Sequence, residues 1–149
     1  MSKDYDLKRE DASMLDLRSL KKALEALKIA FEIYDQNRLP NHLPEKIVLR
    51  DGVIQRFEFT FELSWKTLKR YLEEYGLEKV DSLNNRDFFR VGFEQGLLDD
   101  PEVWFHYLKM RNQSSHVYDE AKATIVFSSA RNFQQDAQSL LERLEEKIQ

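Results

Sequence analysis

Apolar residues recur at intervals of three and four along most of this chain, the spacing that lays a single stripe down one face of an α-helix. In the first such stretch Leu17, Leu20, Leu24, Leu27, Phe31 and Tyr34 share a face, while Lys21, Lys22, Glu25 and Lys28 point the other way. The spacing predicts a helix beginning near Ser13. The run from Asn37 to Pro44, with prolines at 40 and 44, ends it and links it to an antiparallel neighbour. A second, longer helix is predicted from near Glu45 to Tyr75, with Gly76 as the left-handed residue just past its end. Its main stripe is Ile47, Ile54, Phe57, Phe61, Trp65, Leu68, Leu72 and Tyr75, and Phe59 and Leu63 lie on a different side. Apolar contacts in two directions suit a helix that is central to a bundle and also part of a subunit interface.

A short amphipathic helix is predicted over Asn85 to Gln95, followed by Gly96 and the acidic turn Asp99-Asp100. Asp100 and Pro101 read as the N-cap and first position of the next helix, anchored by Trp104, Leu108 and Met110 and carrying Arg111 near its end. The last helix begins around Asp119 and repeats Val126, Ala130, Phe133, Ala137, Leu140, Leu144 and Ile148. Residues 1–12 are polar and unpatterned and read as a flexible lead-in. Residues 13–149 read as one all-α domain, an up-and-down helical bundle of four main helices plus a short additional one. Four glycines, three prolines and 34% charged residues favour long helices over a turn-rich β-protein.

Cysteine is absent from the 149 residues, which excludes disulfides, a thiol nucleophile and zinc-thiolate sites. A reducing cytoplasm is the expected compartment. No signal-like apolar segment opens the sequence, and none reaches the ~18 residues of a membrane span, so no membrane association is expected. His42, His106 and His116 are scattered without carboxylates at ligand spacing, and neither metal nor cofactor is expected. The formal charge of −4 argues against a protein that coats nucleic acid. It leaves room for a local basic patch built from Lys109, Arg111, Arg131 and Lys122.

The segment Arg111-Asn112-Gln113-Ser114-Ser115-His116-Val117-Tyr118 concentrates the available chemistry. A guanidinium binds phosphate bidentately, and an imidazole gives and accepts protons near neutral pH. Metal-free cleavage of a phosphodiester by a neighbouring hydroxyl needs a cation for the developing charge and groups that move two protons. Arg111 suits the first role and His116 the second. In a dimer two copies of His116 facing one cleft supply both proton transfers. Asn112 or Ser115 can orient the phosphate, and the N–H groups opening the last helix attract anions, an attraction partly cancelled by Asp119 and Glu120. Plain structural roles fit the same residues: Arg111 complementing a helix C-terminus, His116 capping a chain break, Tyr118 packed with its hydroxyl at the surface. Glu58, Glu62 and Lys66 share a helix face and read as solvated ion pairs, while Arg50 and Arg56 fit either a surface role or a partner-facing one. Trp65, Trp104 and the phenylalanines read as core.

The Arg-x4-His-x-Tyr pattern of Arg111, His116 and Tyr118 resembles the motif of the HEPN superfamily, which is associated with metal-independent RNA cleavage. The run from Arg50 through Trp65 to Lys69 resembles the central helix of one HEPN branch, the nucleotidyltransferase substrate-binding protein family. So do Arg86 to Leu98, Trp104, and Arg111 to Glu120. The resemblance runs from about Leu17 to the C-terminus in family order and implies a HEPN-like bundle. It also implies a separate minimal nucleotidyltransferase as partner, in a pair related to toxin–antitoxin systems, with Tyr118 as the residue open to adenylylation. The chain has no Gly-Ser dipeptide and so lacks the Gly-Ser turn of such transferases; it is not that enzyme. The expectation is therefore a homodimeric interaction protein that serves a minimal nucleotidyltransferase as its substrate-binding subunit or modification target, with a cleft for nucleotide or RNA phosphate formed by Arg111, Asn112, Ser115 and Tyr118. Its rivals are an endoribonuclease using Arg111 and His116, and a nucleotide-binding regulatory bundle.

Overall fold

A computed structural model describes residues 15–76 and 79–149, so the predicted lead-in and Ser13 lie outside the described residues. Five α-helices occupy most of the described residues: α1 (Arg18–Gln36), α2 (Pro44–Tyr75), α3 (Asn85–Glu94), α4 (Pro101–Gln113) and α5 (Glu120–Ile148). Two single turns of 3-10 helix, Val80–Ser82 and Ser114–His116, precede α3 and α5. At 1.5 Å per residue α2 and α5 run for ~48 and ~43 Å, and these two rods set the length of the molecule. Helix α1 packs along α2, α5 lies against both, and α3 and α4 close the far side against α2 and α5.

The starts of the later helices are fixed by short polar side chains. Asn84 Oδ1 accepts from the Asp87 N–H at 2.8 Å, Asp100 Oδ1 from the Glu102 N–H at 2.9 Å, and Asp119 Oδ1 from the N–H groups of Ala121 and Lys122 at 3.0 and 3.2 Å. Each satisfies donors that the first helical turn leaves without partners. Helix α1 has no side-chain cap; an Asp16–Arg18 pair stands just before it, and Leu17, placed on the predicted stripe, is its N-cap residue. Gly76 is not left-handed as predicted: its φ is −140°, and it only extends the backbone bonding of α2 with an N–H to Leu72 O. The left-handed glycine is Gly96, at φ +78°, where the chain reverses after α3. A Cβ there would force a non-glycine residue into a region L-residues seldom enter.

The predicted stripes meet in one core. Phe133 on α5 sits at its centre, with edge-to-face contacts to Phe57, Trp104 and Tyr107 at centroid separations of 5.1, 5.7 and 5.3 Å. Three parts of the sequence reading change. Tyr75 ends the main stripe exposed, stacked on Tyr71 in the last turn of α2. Phe59 and Phe93 are not core, and Trp65 is only partly covered, packed on Phe88 at 5.3 Å. Arg50 is not a surface residue; it is 8% exposed and held by Asp51 and Glu120. Lys46 is buried too, its ammonium donating to the carbonyls of Tyr34 and Asn37 at the end of α1, where the helix dipole favours a cation.

Candidate functional site

The junction between α4 and α5 turns on Ser114. Its hydroxyl is buried and donates to the Arg111 carbonyl at 2.6 Å, which tightens the chain into the 3-10 turn Ser114–His116. The Asp119 N–H then returns to the His116 carbonyl at 3.0 Å, and Asp119 itself caps α5. Within this short stretch the chain thus leaves one helix and enters the next with Arg111 and His116 on the intervening corner.

Arg111 extends from the last turn of α4 across to α2. Its guanidinium donates to Glu62, with Nε at 3.2 Å from Oε1 and a second, shorter bond from Nη2; Nη1 lies 3.8 Å from Glu58 Oε2 and 3.5 Å from Ser114 Oγ. Glu58 and Glu62 are thus partners of Arg111, and the reading of them as solvated pairs with Lys66 is corrected. The sequence signal was present: carboxylates four apart on α2 form one acidic strip, but only the packing of α4 on α2 shows which cation it meets. Two of the cations for which the sequence left room in a local basic patch are engaged elsewhere. Arg131 is bound to Asp35 across α5 and α1 and lies between Phe31 and Phe127, whereas Lys109 sits over Phe105. Nor do the first N–H groups of α5 await a phosphate, since the Asp119 carboxylate occupies them.

His116 is half-buried, and its Nδ1 lies 3.0 Å from the Tyr118 hydroxyl, with the rings edge to face at 5.7 Å. Tyr118 is 80% exposed, so the packed role open to it in the sequence does not apply. Ser115 and Asn112 are both exposed, and Ser114, which the sequence reading passed over, is the serine that touches Arg111. Beyond the corner, Arg50 donates to Glu120 Oε2 at 2.6 Å and to Asp51 Oδ1 at 2.9 and 3.0 Å, tying the start of α5 to α2. Burial pulls the Arg50 guanidinium toward neutrality, but its two carboxylates more than offset that and hold its pKa above the ordinary value. Among the described residues no group of three or more His, Asp or Glu side chains is placed to hold a metal ion. No helix among them is long and apolar enough to cross a membrane.

The family model for proteins like nucleotidyltransferase substrate-binding proteins matches residues 15–146. The chain belongs to this family. A Haemophilus influenzae protein named "Probable ribonuclease HepT" is 36% identical over 100 residues, covering 66% of this chain and 68% of that protein. A solved Haemophilus influenzae structure, described as revealing the fold of a substrate-binding domain of a nucleotidyltransferase, superposes with a TM-score of 0.79 at 30% identity, over 87% of this chain and 99% of that one. A crystal structure from Thermus thermophilus gives 0.66 at 32% identity, over 84% and 98%. The helical bundle is therefore the architecture of the nucleotidyltransferase substrate-binding family, and Arg111 to Glu120 falls within the matched span.

Proposed function

We propose that this family member is the partner, and the modification target, of a separate minimal nucleotidyltransferase, with Tyr118 as the acceptor. The observation that carries this reading is the Tyr118 phenol: exposed, and 3.0 Å from His116 Nδ1. A phenol becomes a nucleophile when a neighbouring base takes its proton. His116 accepts that proton as the phenolic oxygen bonds to the α-phosphorus of a nucleoside triphosphate, and pyrophosphate leaves. Arg111, one corner away, is suited to meet the phosphate that results, once Glu62 yields part of its hold. Coexpression with a minimal nucleotidyltransferase followed by peptide mass spectrometry is the test. A nucleotidyl mass on Tyr118, absent in Tyr118→Phe, is expected; modification at another residue that persists in Tyr118→Phe would overturn the assignment.

A second reading is supported by Arg111 and His116 sharing the corner and by the relative named as a ribonuclease. In it the unmodified protein cleaves RNA without metal, Arg111 meeting the phosphate and His116 moving a proton; nucleotidylation of Tyr118 blocks the same cleft by bulk and charge. Cleavage is expected to survive chelation and to be lost in Arg111→Ala and in His116→Ala. Activity that requires added magnesium would exclude this chemistry. Both readings extend to a homodimer through the outer side of α2, where Val48 and Phe59, about three turns apart, stand exposed on one face.

A further inference from the structure

Beside Arg111, on the side of α2 toward its C-terminal half, lies a pocket of about 270 Å³ lined by Phe61, Glu62, Trp65, Lys66, Leu108, Arg111 and by two asparagines, Asn85 and Asn112. Its size is just under the ~300–1,000 Å³ typical of pockets that enclose a whole drug-sized ligand, which suits one planar ring system with the remainder of the molecule outside. Phe61 is buried beneath it and Trp65, half-covered by Phe88, adds indole surface to its wall. Three of its polar members, unlike Glu62 and Arg111, are unspent. Asn85 and Asn112 are exposed and make no side-chain hydrogen bond to another described residue, and Lys66 is exposed and forms no ion pair among the described residues. Asn85 is not needed to start α3, because Asn84 is the cap. Asn112, expected from the sequence to orient a phosphate, thus stands with a second amide beside an aromatic wall.

We propose that this pocket takes one nucleobase of the nucleotide whose phosphate meets Arg111, with Trp65 offering aromatic surface and Asn85 and Asn112 reading the base edge. The inference rests on the reading of Arg111 as the phosphate anchor. An amide presents a donor and an acceptor side by side, the complement of a base edge, and aromatic surface beside a base is the usual basis of single-stranded recognition. Lys66 adds a cation that, unlike Arg111, has no carboxylate on it among the described residues, and so favours a ligand carrying phosphate over a free nucleoside. A peptide side chain or a lipid headgroup has no comparable need for two amides against an indole.

The chain has two tryptophans, and Trp104 is 3% exposed, so quenching of the emission by a bound base reports on Trp65. Adenosine 5′-monophosphate is the probe, with ribose 5-phosphate and inorganic phosphate as controls. Quenching by the nucleotide alone is expected, with an affinity weakened roughly fivefold in Asn85→Ala and in Lys66→Ala, the loss of one polar contact each. In Trp65→Phe, which keeps an aromatic ring on Phe88, the response should vanish because only Trp104 still emits. Equal quenching by ribose 5-phosphate, or nucleotide quenching unchanged in Asn85→Ala and Lys66→Ala, would overturn the proposal. RNA cleavage and Tyr118 modification are read separately. If either occurs while the pocket variants bind and react as the unaltered protein does, the pocket assignment fails and the reading of the Arg111 corner stands. If the nucleotide quenches as expected but neither reaction occurs, the pocket and its phosphate anchor stand and the reactions assigned to the Arg111 corner fail.

Discussion

Glu62 is where the residue scale is most consequential. A carboxylate on the guanidinium fork of Arg111 fixes the direction of that fork, and it also competes with any phosphate for the same donors. Arg111 is therefore aimed and restrained by one contact. Glu62→Gln keeps the shape and removes the charge. Phosphate competition against an RNA oligonucleotide should reveal binding tightened by several-fold, because the guanidinium loses an anionic rival, while any cleavage per bound molecule slows because the fork is less firmly held. Binding and rate both unchanged in that variant would remove Glu62 from the site. The candidate positions Arg111, His116 and Tyr118 were marked by residue type, spacing and the family resemblance together. Glu62 was not, because a carboxylate on an exposed helix face carries no mark in the sequence of the cation that another helix will bring to it.

At the scale of elements, the corner between α4 and α5 owes its shape to two local devices, the Ser114 hydroxyl on the Arg111 carbonyl and the Asp119 cap on α5. Asp119→Ala should cost about 1 kcal/mol in a urea denaturation series, the usual worth of such a cap. Its further effect should be on chemistry, since the Asp119 N–H is bonded to the His116 carbonyl and the corner loosens with the cap. Modification of Tyr118 should therefore fall by more than the stability loss accounts for at temperatures well below unfolding. Gly96→Ala provides the comparison: it strains a left-handed residue after α3, at a cost of roughly 1–2 kcal/mol, and should leave the corner as it was. If the two variants depress modification equally, the cap has no special hold on the site.

For the whole molecule, the buried Tyr107 hydroxyl ties α4 to α5 by donating to Asp136. Burial first, then the hydrogen bond and charge of Asp136, push the Tyr107 phenol far above its ordinary range. Because the folded value is the higher one, the unfolded chain loses this proton first as pH rises. The stabilisation is thus complete below about pH 10, the ordinary tyrosine value, and declines as pH climbs from there toward the folded value. Denaturant midpoints taken from pH 8 to 11 should fall at the alkaline end, and fall less steeply in Tyr107→Phe. Equal slopes would assign the decline to other groups. Assembly is a separate question at this scale. Light scattering at micromolar concentration should show a dimer, converted toward monomer by Phe59→Asp; a monomeric unaltered protein would remove the exposed side of α2 as an interface.

The sequence by itself determined the helices and their inner faces, because a three-and-four spacing is a property of the chain that survives in any packing. It placed Arg111, His116 and Tyr118 in one short segment as well, seven positions separating the first from the last. Tertiary structure alone decided what those side chains touch. Arg50 was buried and bound to Glu120 of α5, seventy positions away, which no local spacing foretells, and Gly76 stayed outside the left-handed region. In the same way the pairing of Arg111 with Glu58 and Glu62, and the meeting of Asn85 with Asn112 beside Trp65, join residues tens of positions apart. Contacts of that kind depend on which helix lies against which, and that was settled by packing the large aromatic side chains around Phe133.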